Sequence, residues 1–390
     1  MKMCHRVAYL LLYLAIGSSF MLCAQQLTLH IRLQPALHVT DTIFVAGNFN
    51  NWQPNNYGYA FHKDGQNLSL QIKNVPTGII EFKCTRGSWQ KTECAANGAN
   101  VANHTINVTT DTTIGLSIEG WKDDFADNGK QHTASQNVRI IDTAFVMPQL
   151  GRTRRIWIYL PADYATSSKR YPVMYMHDGQ NIFDAYTAFA GEWEVDETLD
   201  ALIKMGTPPC IVVGIDNGPE RMTEYNPYTF EKFGKGEGDK YVDFLVKTLK
   251  PFIDSSYRTV ASKENTIIAG SSMGGLISYY ALLKYPGVFG KAGVFSPSFW
   301  IADKIKKLTD TNSNKLTGKL FFYIGALEGD SNVKNMEAIV NILGEKSPAI
   351  IYSVVDPEGQ HNEQAWRKWF VAFYKWIMAD GFNSVIEEDK

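Results

Sequence analysis

An excess of positive charge is the first thing this sequence lacks. Its 390 residues carry 38 Lys plus Arg against 40 Asp plus Glu, with no basic run anywhere. Binding to nucleic acid rests on a basic footprint, so no nucleic-acid partner is expected. Cysteine is scarce, five in all, with no metal-ligand spacing among them. No glycine-rich phosphate loop appears either, so neither a metal nor a nucleotide cofactor is expected. Long apolar runs are missing too. The stretch at residues 7–14 is too short and poorly flanked for a transmembrane helix, so no stable membrane insertion is expected. What remains, 45% hydrophobic and 20% charged, is the composition of a globular chain able to bury a sizeable core.

Lys2 and Arg6 precede that short apolar stretch, and Leu22-Cys23-Ala24 precede Gln25. This pattern reads as a secretory signal peptide over residues 1–24, which predicts an exported protein, periplasmic or extracellular. A lipid-attachment cysteine is preceded by a small residue, and Leu22 before Cys23 is not one, so simple export is favoured over a lipid anchor. Export permits a disulfide between Cys84 and Cys94, although spacing alone does not fix pairing. Cys210, inside the apolar "PPCIVVGI", reads as a buried small hydrophobe.

Two grammars follow. Over residues 25–120, short segments such as "LTLHIRL", "TIFVAGNF" and "LSLQIKNV" alternate with period two, separated by turn clusters. They predict a small antiparallel, immunoglobulin-like β-sandwich. Residues 121–137, polar and without an apolar period, read as a linker. Over residues 138–390, β-branched runs alternate with helical patterns, the grammar of an α/β domain with a parallel sheet covered on both faces.

Within this second domain, "NTIIAG" runs into "SSMGG" and then into the helical "LISYYALLKYP". A strand, a glycine-flanked serine and a helix form the context of a nucleophile elbow, and Ser272 is the central serine. A serine hydroxyl is a weak nucleophile and needs a base oriented by a carboxylate, found in this fold in the chain order Ser, acid, His. "KLFFYIGAL" runs into "EGD", offering Glu328, with Asp330 as the alternative acid. "IIYSVVD" runs into "PEGQHNEQ", offering His361. Oxyanion donors are expected at the amide of Met273 and, in "MHDGQNIFD", at Gly179. His177 in that loop reads as an orienting residue rather than the base.

The stretches "HDGQNIFD", "GEWEVDETLD", "IVVGIDNGPERMTEYNP", "AGSSMGGLISYYALLKYP", "VFSPSFW", "YIGALEGD" and "GQHNEQAW" resemble the esterase family of α/β-hydrolases that includes esterase D, feruloyl and acetyl xylan esterases, and ferric enterobactin esterases. The resemblance spans about residues 138–377. It implies an α/β-hydrolase fold, Ser272 as nucleophile, His361 as base and Glu328 as acid. Family acids are Asp or Glu, and some members work with a dyad. The front segment, through "VAGNFNNWQP" and "FKCTRGSWQKTE", resembles a glycogen-binding early-set sandwich, which implies glycan stacking on Trp52 and Trp89, with Tyr57 and Tyr59 beside them.

The long segment "NGPERMTEYNPYTFEKFGKGEGDK" is expected to wall the active edge. Arg221 in it is expected either to pair with Glu224 or to contact substrate, and Tyr225, Trp193 and Trp300 are expected to line the substrate site. The leading expectation is a secreted serine esterase that removes acetyl or feruloyl groups from a polysaccharide or oligosaccharide. The alternatives are a siderophore trilactone esterase and a glycan-binding protein without activity.

Overall fold

The computed structural model describes residues 25–50, 52–64, 67–125, 131–189 and 191–379. The segment read as a signal peptide lies outside them. The chain divides into two compact units, residues 1–122 and 123–390.

Among its described residues the first unit has nine strands: Gln25–Leu33 (β1), Phe44–Gly47 (β2), His62–Asp64 (β3), Asn67–Val75 (β4), Gly78–Thr85 (β5), Glu93–Cys94 (β6), His104–Val108 (β7), Thr112–Ser117 (β8) and Gly120–Trp121 (β9). They form a four-stranded sheet β3-β4-β1-β8, a three-stranded sheet β2-β5-β7 and the pair β6-β9. The period-two alternation turns Leu27, Leu29 and Ile31 of β1 inward, where they share one core with Val45, Phe82 and Trp121. One edge departs from the antiparallel expectation: β1 and β8 run parallel. The disulfide that export would permit between Cys84 and Cys94 is not formed: Cys84 is a buried free thiol. Its amide donates to the Glu93 carboxylate at 2.6 Å, and burial pushes the thiol well above its usual pKa.

Among its described residues the second unit carries an eight-stranded sheet: Val138–Met147 (β10), Arg152–Tyr159 (β11), Val173–His177 (β12), Ile211–Ile215 (β13), Thr266–Ser271 (β14), Lys291–Phe295 (β15), Lys319–Gly325 (β16) and Ile350–Asp356 (β17). Their order is β10-β11-β13-β12-β14-β15-β16-β17. The six strands from β12 to β17 pair parallel, while β11 runs antiparallel to both β10 and β13. The sheet is therefore mixed rather than wholly parallel. Its helices are Val195–Lys204 (α1), Arg221–Glu224 (α2), Gly238–Phe244 (α3), Lys250–Ser256 (α4), Met273–Lys284 (α5), Lys304–Asn312 (α6), Asp330–Lys346 (α7) and Glu363–Met378 (α8). Two separate cores, one containing Leu276, Ile277 and Phe322 and the other Leu199, Phe370 and Phe373, cover the two faces of the sheet. No helix among the described residues is long and apolar enough to cross a membrane.

The segment read as a linker divides in two. Trp121 pairs in the first unit through β9. Residues 132–137 are fastened to the second: His132 Nδ1 meets Asp184 at 2.7 Å, the Ser135 amide donates to Asp196 at 2.6 Å, and Asn137 donates to Asp200 at 2.9 Å. Those carboxylates lie 52 to 63 residues away in sequence, beyond any local pattern.

Candidate active site

The carboxyl ends of the parallel strands gather the residues that the sequence singles out. β14 ends at Ser271, and α5 starts at Met273. Ser272 between them takes φ 57° and ψ −120°, a strained conformation for a residue with a side chain. The turn is held on both sides: the Ser272 amide donates to the Phe295 carbonyl at 2.9 Å, and the Ser298 amide donates to the Ser272 carbonyl at 3.1 Å. A side-chain carbon on Gly270 would lie 2.9 Å from the Gly274 carbonyl carbon, so only glycine fits there. Ser272 Oγ meets Ser298 Oγ at 3.3 Å. The Met273 amide opens α5, in the first turn, where N–H groups have no intrahelical acceptor.

Glu328 follows β16, and its carboxylate is fully engaged. Oε1 accepts from the Ser296 hydroxyl at 2.6 Å and the Gly325 amide at 2.8 Å, while Oε2 meets His361 Nδ1 at 2.7 Å. The Glu328 side chain is 2% exposed and that of His361 37%, so a buried carboxylate orients a reachable imidazole. Asp330 instead begins α7 on the exposed surface. Ser296, which sequence reasoning passes over, also accepts from Trp366 Nε1 at 2.8 Å and so ties the acid to α8. Its signal sits in "VFSPSFW", but a buried serine at φ 42° looks like any turn residue in a sequence.

The loop after β12 approaches from the other side. Asp178 at φ 58° turns the chain into Gly179, where a side-chain carbon would lie 2.9 Å from the backbone of Gly214 and Ile215. Asp178 accepts from Arg221 Nε at 2.7 Å, Arg221 Nη2 at 2.8 Å and Asn217 Nδ2 at 2.6 Å. These partners hold its carboxyl below the ordinary range even against burial. His177 is buried, with Nδ1 2.9 Å from the Tyr241 hydroxyl, and burial lowers its pKa to about 4, so it is neutral at neutral pH.

Several expected roles change. Arg221 pairs with Asp178 and not with Glu224. The Glu224 carboxylate is taken instead by Arg152 at 2.9 Å and Arg154 at 2.7 Å, both on β11, because it points into the sheet rather than along its own short helix. Tyr225 is fully buried, its ring tilted against those of His177 and Tyr241, and lies in the core rather than on the site's surface. Trp193 is buried against Phe295, Trp366 and Phe370, in the core beneath the site. Trp300 remains available, 44% exposed, with its ring edge-on to Phe230 of the long loop.

One group of carboxylates has metal-like proximity among the described residues: Glu192, Asp196 and Glu197, with oxygens within 4.8 Å of one another. Burial pushes Glu192 up to about 7 and Glu197 up to about 8. Thr133 Oγ donates to Glu192 at 2.9 Å, beside the Ser135 bond to Asp196, so the cluster fastens residues 133–135 to the start of α1.

Comparisons with known proteins agree with this architecture. A protein of Bacillus subtilis, YbbA, whose description assigns it no function, is 30% identical over 184 residues, covering 45% of this chain and 69% of that one. The endo-1,4-beta-xylanase/feruloyl esterase of Xylanibacter ruminicola is 26% identical over 234 residues, and the chain spans only 30% of its length. Among solved structures, the enterobactin esterase of Shigella flexneri matches with a TM-score of 0.54 at 16% identity, over 90% of this chain and 92% of that one. An IroE-like serine hydrolase from Shewanella oneidensis matches at 0.51 and 21% identity, over 64% and 80%. The model of the family described as "Putative esterase" matches residues 148–377. The chain belongs to that esterase family, and it is an ester hydrolase with an α/β-hydrolase fold.

Proposed function

We propose that this protein is an exported serine esterase that removes acetyl or feruloyl groups from carbohydrate through an acyl-enzyme. The observation that carries the reading is the Glu328–His361 contact of 2.7 Å on the sheet edge that also holds Ser272 in its strained turn. Ser272 Oγ attacks the ester carbonyl carbon as His361 Nε2 takes its proton, while Glu328 holds the imidazole and stabilises its charged form. The amides of Met273 and Gly179 receive the tetrahedral oxyanion. Collapse breaks the bond to the alcohol, which leaves with the proton from His361. Water then releases the acid from Ser272 by the same steps in reverse.

The carbohydrate part of the proposal draws support from the xylanase/feruloyl esterase relative and from the front unit. There Trp52 and Trp89 lie 6.3 Å apart, Trp89 being exposed, as an aromatic platform for a sugar ring. Tyr57 is exposed as well, while Tyr59 packs against Phe49. Export rests on the amino-terminal pattern and is tested by recovering the processed chain outside the cytoplasm. A siderophore trilactone esterase is the second reading, favoured by the match to the enterobactin esterase fold over 90% of this chain.

One panel tests these readings: acetylated xylan, methyl ferulate and ferric enterobactin, each with wild type and Ser272→Ala. Turnover of either of the first two, with an acyl adduct on Ser272 and none in the variant, is the expected result. Turnover of the siderophore alone overturns the carbohydrate reading. Equal rates in both proteins overturn the assignment of Ser272.

A further inference from the structure

Glu363 is the first residue of α8, two positions after His361. An acidic residue in the first turn of a helix is ordinary, because it complements the helix dipole from an exposed position. Glu363 is not exposed. Only 8% of it reaches solvent, and among the described residues the only donor at its carboxyl is its own backbone amide. Its burial is built by the opposing loop: Gly191 adopts φ 136°, and a side-chain carbon there would lie 3.2 Å from Glu363 Cβ and 3.8 Å from Oε2. Glycine at that position lets the carboxyl lie under the loop.

The groups that act on this carboxyl are those of the site. His361, Asp178 and Arg221 are its charged neighbours, and burial pushes it up to about 7. Asp178 and Arg221 already satisfy each other through two bonds, at 2.7 and 2.8 Å, and His361 Nδ1 is taken by Glu328. A carboxyl this deep beside the site's charges, with no other described side chain donating to it, keeps its oxygens able to accept a hydrogen bond from a group outside the chain. Because His361 delivers its proton to the departing oxygen, groups beside it line the alcohol side of a scissile ester rather than the acyl side.

We infer that Glu363 is a specificity-determining residue whose carboxyl accepts a hydrogen bond from a hydroxyl of the leaving alcohol, selecting polyhydroxylated, sugar-like alcohols over simple ones. The inference rests on the ester-hydrolase reading of Ser272 and His361 and deepens it, since it concerns the alcohol and not the acyl group. It also sets a carboxyl where an anionic leaving group would be repelled.

The test holds the acyl group constant and varies the alcohol: methyl ferulate against feruloyl arabinose, and methyl acetate against acetyl xylobiose. The readout is the ratio of kcat/KM for the sugar ester to that for the methyl ester. Loss of a hydrogen bond between a substrate hydroxyl and a recessed carboxyl is worth about 10- to 100-fold. Glu363→Ala is expected to lower the ratio by about 10-fold or more, chiefly through KM of the sugar ester. Glu363→Gln keeps an acceptor oxygen and should retain a larger part. Should the alanine variant fail to fold, Glu363→Asp, which withdraws the carboxyl by one methylene, must lower the ratio as well. A ratio unchanged in the folded variant, with both esters slowed alike, is the mark of a structural role and overturns the inference alone. A wild type inactive on all four esters overturns the reading beneath it, and the inference with it.

Discussion

Arg221 offers the sharpest perturbation. Replacing it with Met keeps much of the aliphatic stem and removes the guanidinium that closes two bonds on Asp178, at 2.7 and 2.8 Å. Asp178 is only 8% exposed and would keep Asn217 as its remaining partner, at 2.6 Å. Breaking a buried ion pair from one side costs about 3–5 kcal/mol, and since the Arg221 side chain is 23% exposed, about 2–3 kcal/mol is the reasonable expectation here. In a unit of this size that lowers Tm by roughly 5–10 °C. Asp178 also sets the turn that presents the Gly179 amide, so kcat should fall by about 100-fold with a smaller change in KM.

The pH dependence has a definite sign. A carboxyl depressed in the folded state contributes stability that is complete above its unfolded pKa and is lost as pH falls through the folded value. The Tm gap between wild type and Arg221→Met should therefore be full at pH 7 and close in acid below about pH 4, as Asp178 protonates. Calorimetry of both proteins at pH 7 and at about pH 2, below the unfolded value and well into the range where a depressed carboxyl protonates, with steady-state kinetics at pH 7, measures all of this. Adding Asp178→Asn to Arg221→Met should restore part of the stability, because the uncompensated charge is gone. A gap equal at both pH values, together with an unchanged kcat, refutes the clamp.

Three further outcomes are expected. Glu328→Ala should lose about 100-fold or more in kcat while Asp330→Ala stays within a few-fold of wild type, since only Glu328 meets His361; the reverse order in a steady-state comparison sinks the acid assignment. Ser296→Ala removes a donor from Glu328 and the acceptor of Trp366 Nε1, and should cost about 1–3 kcal/mol in denaturant unfolding; a loss near zero contradicts the contacts. His177, with its pKa lowered to about 4 from about 6.5, should contribute about 3 kcal/mol that is complete above pH 6.5 and lost as pH falls toward 4. His177→Gln should flatten the slope of stability over that window, and an identical slope in both proteins is the contrary result.

The elbow and the strand ends were legible because local pattern dictates them. A β-branched run, Ser272 between glycines and a helical run form a unit within about twenty residues, and each later strand announces itself by composition. Partner choice was not legible. Spacing favours Glu328, the earlier after the strand, but leaves Asp330 two residues on as an alternative, and the way the chain leaves β16 turns one to His361 and the other to the surface. Arg221 and Glu224 sit at helical spacing, yet each finds a partner some 40 to 70 residues away. Trp193 and Tyr225 carry the composition of a substrate wall and lie in the core. Their faces are chosen by α8 and α3, distant in sequence.

By itself, then, the sequence determined the order of strands and helices, the two-part organisation and the strained serine, since each follows from periodicity and backbone sterics over short spans. The tertiary structure alone decided which carboxylate meets the imidazole, which arginine steadies the Asp178 turn and which acid, Glu363, is buried beside His361 with no other described side chain donating to it. Those choices depend on sheet order, which sets side chains from different strand ends side by side regardless of the residues between them.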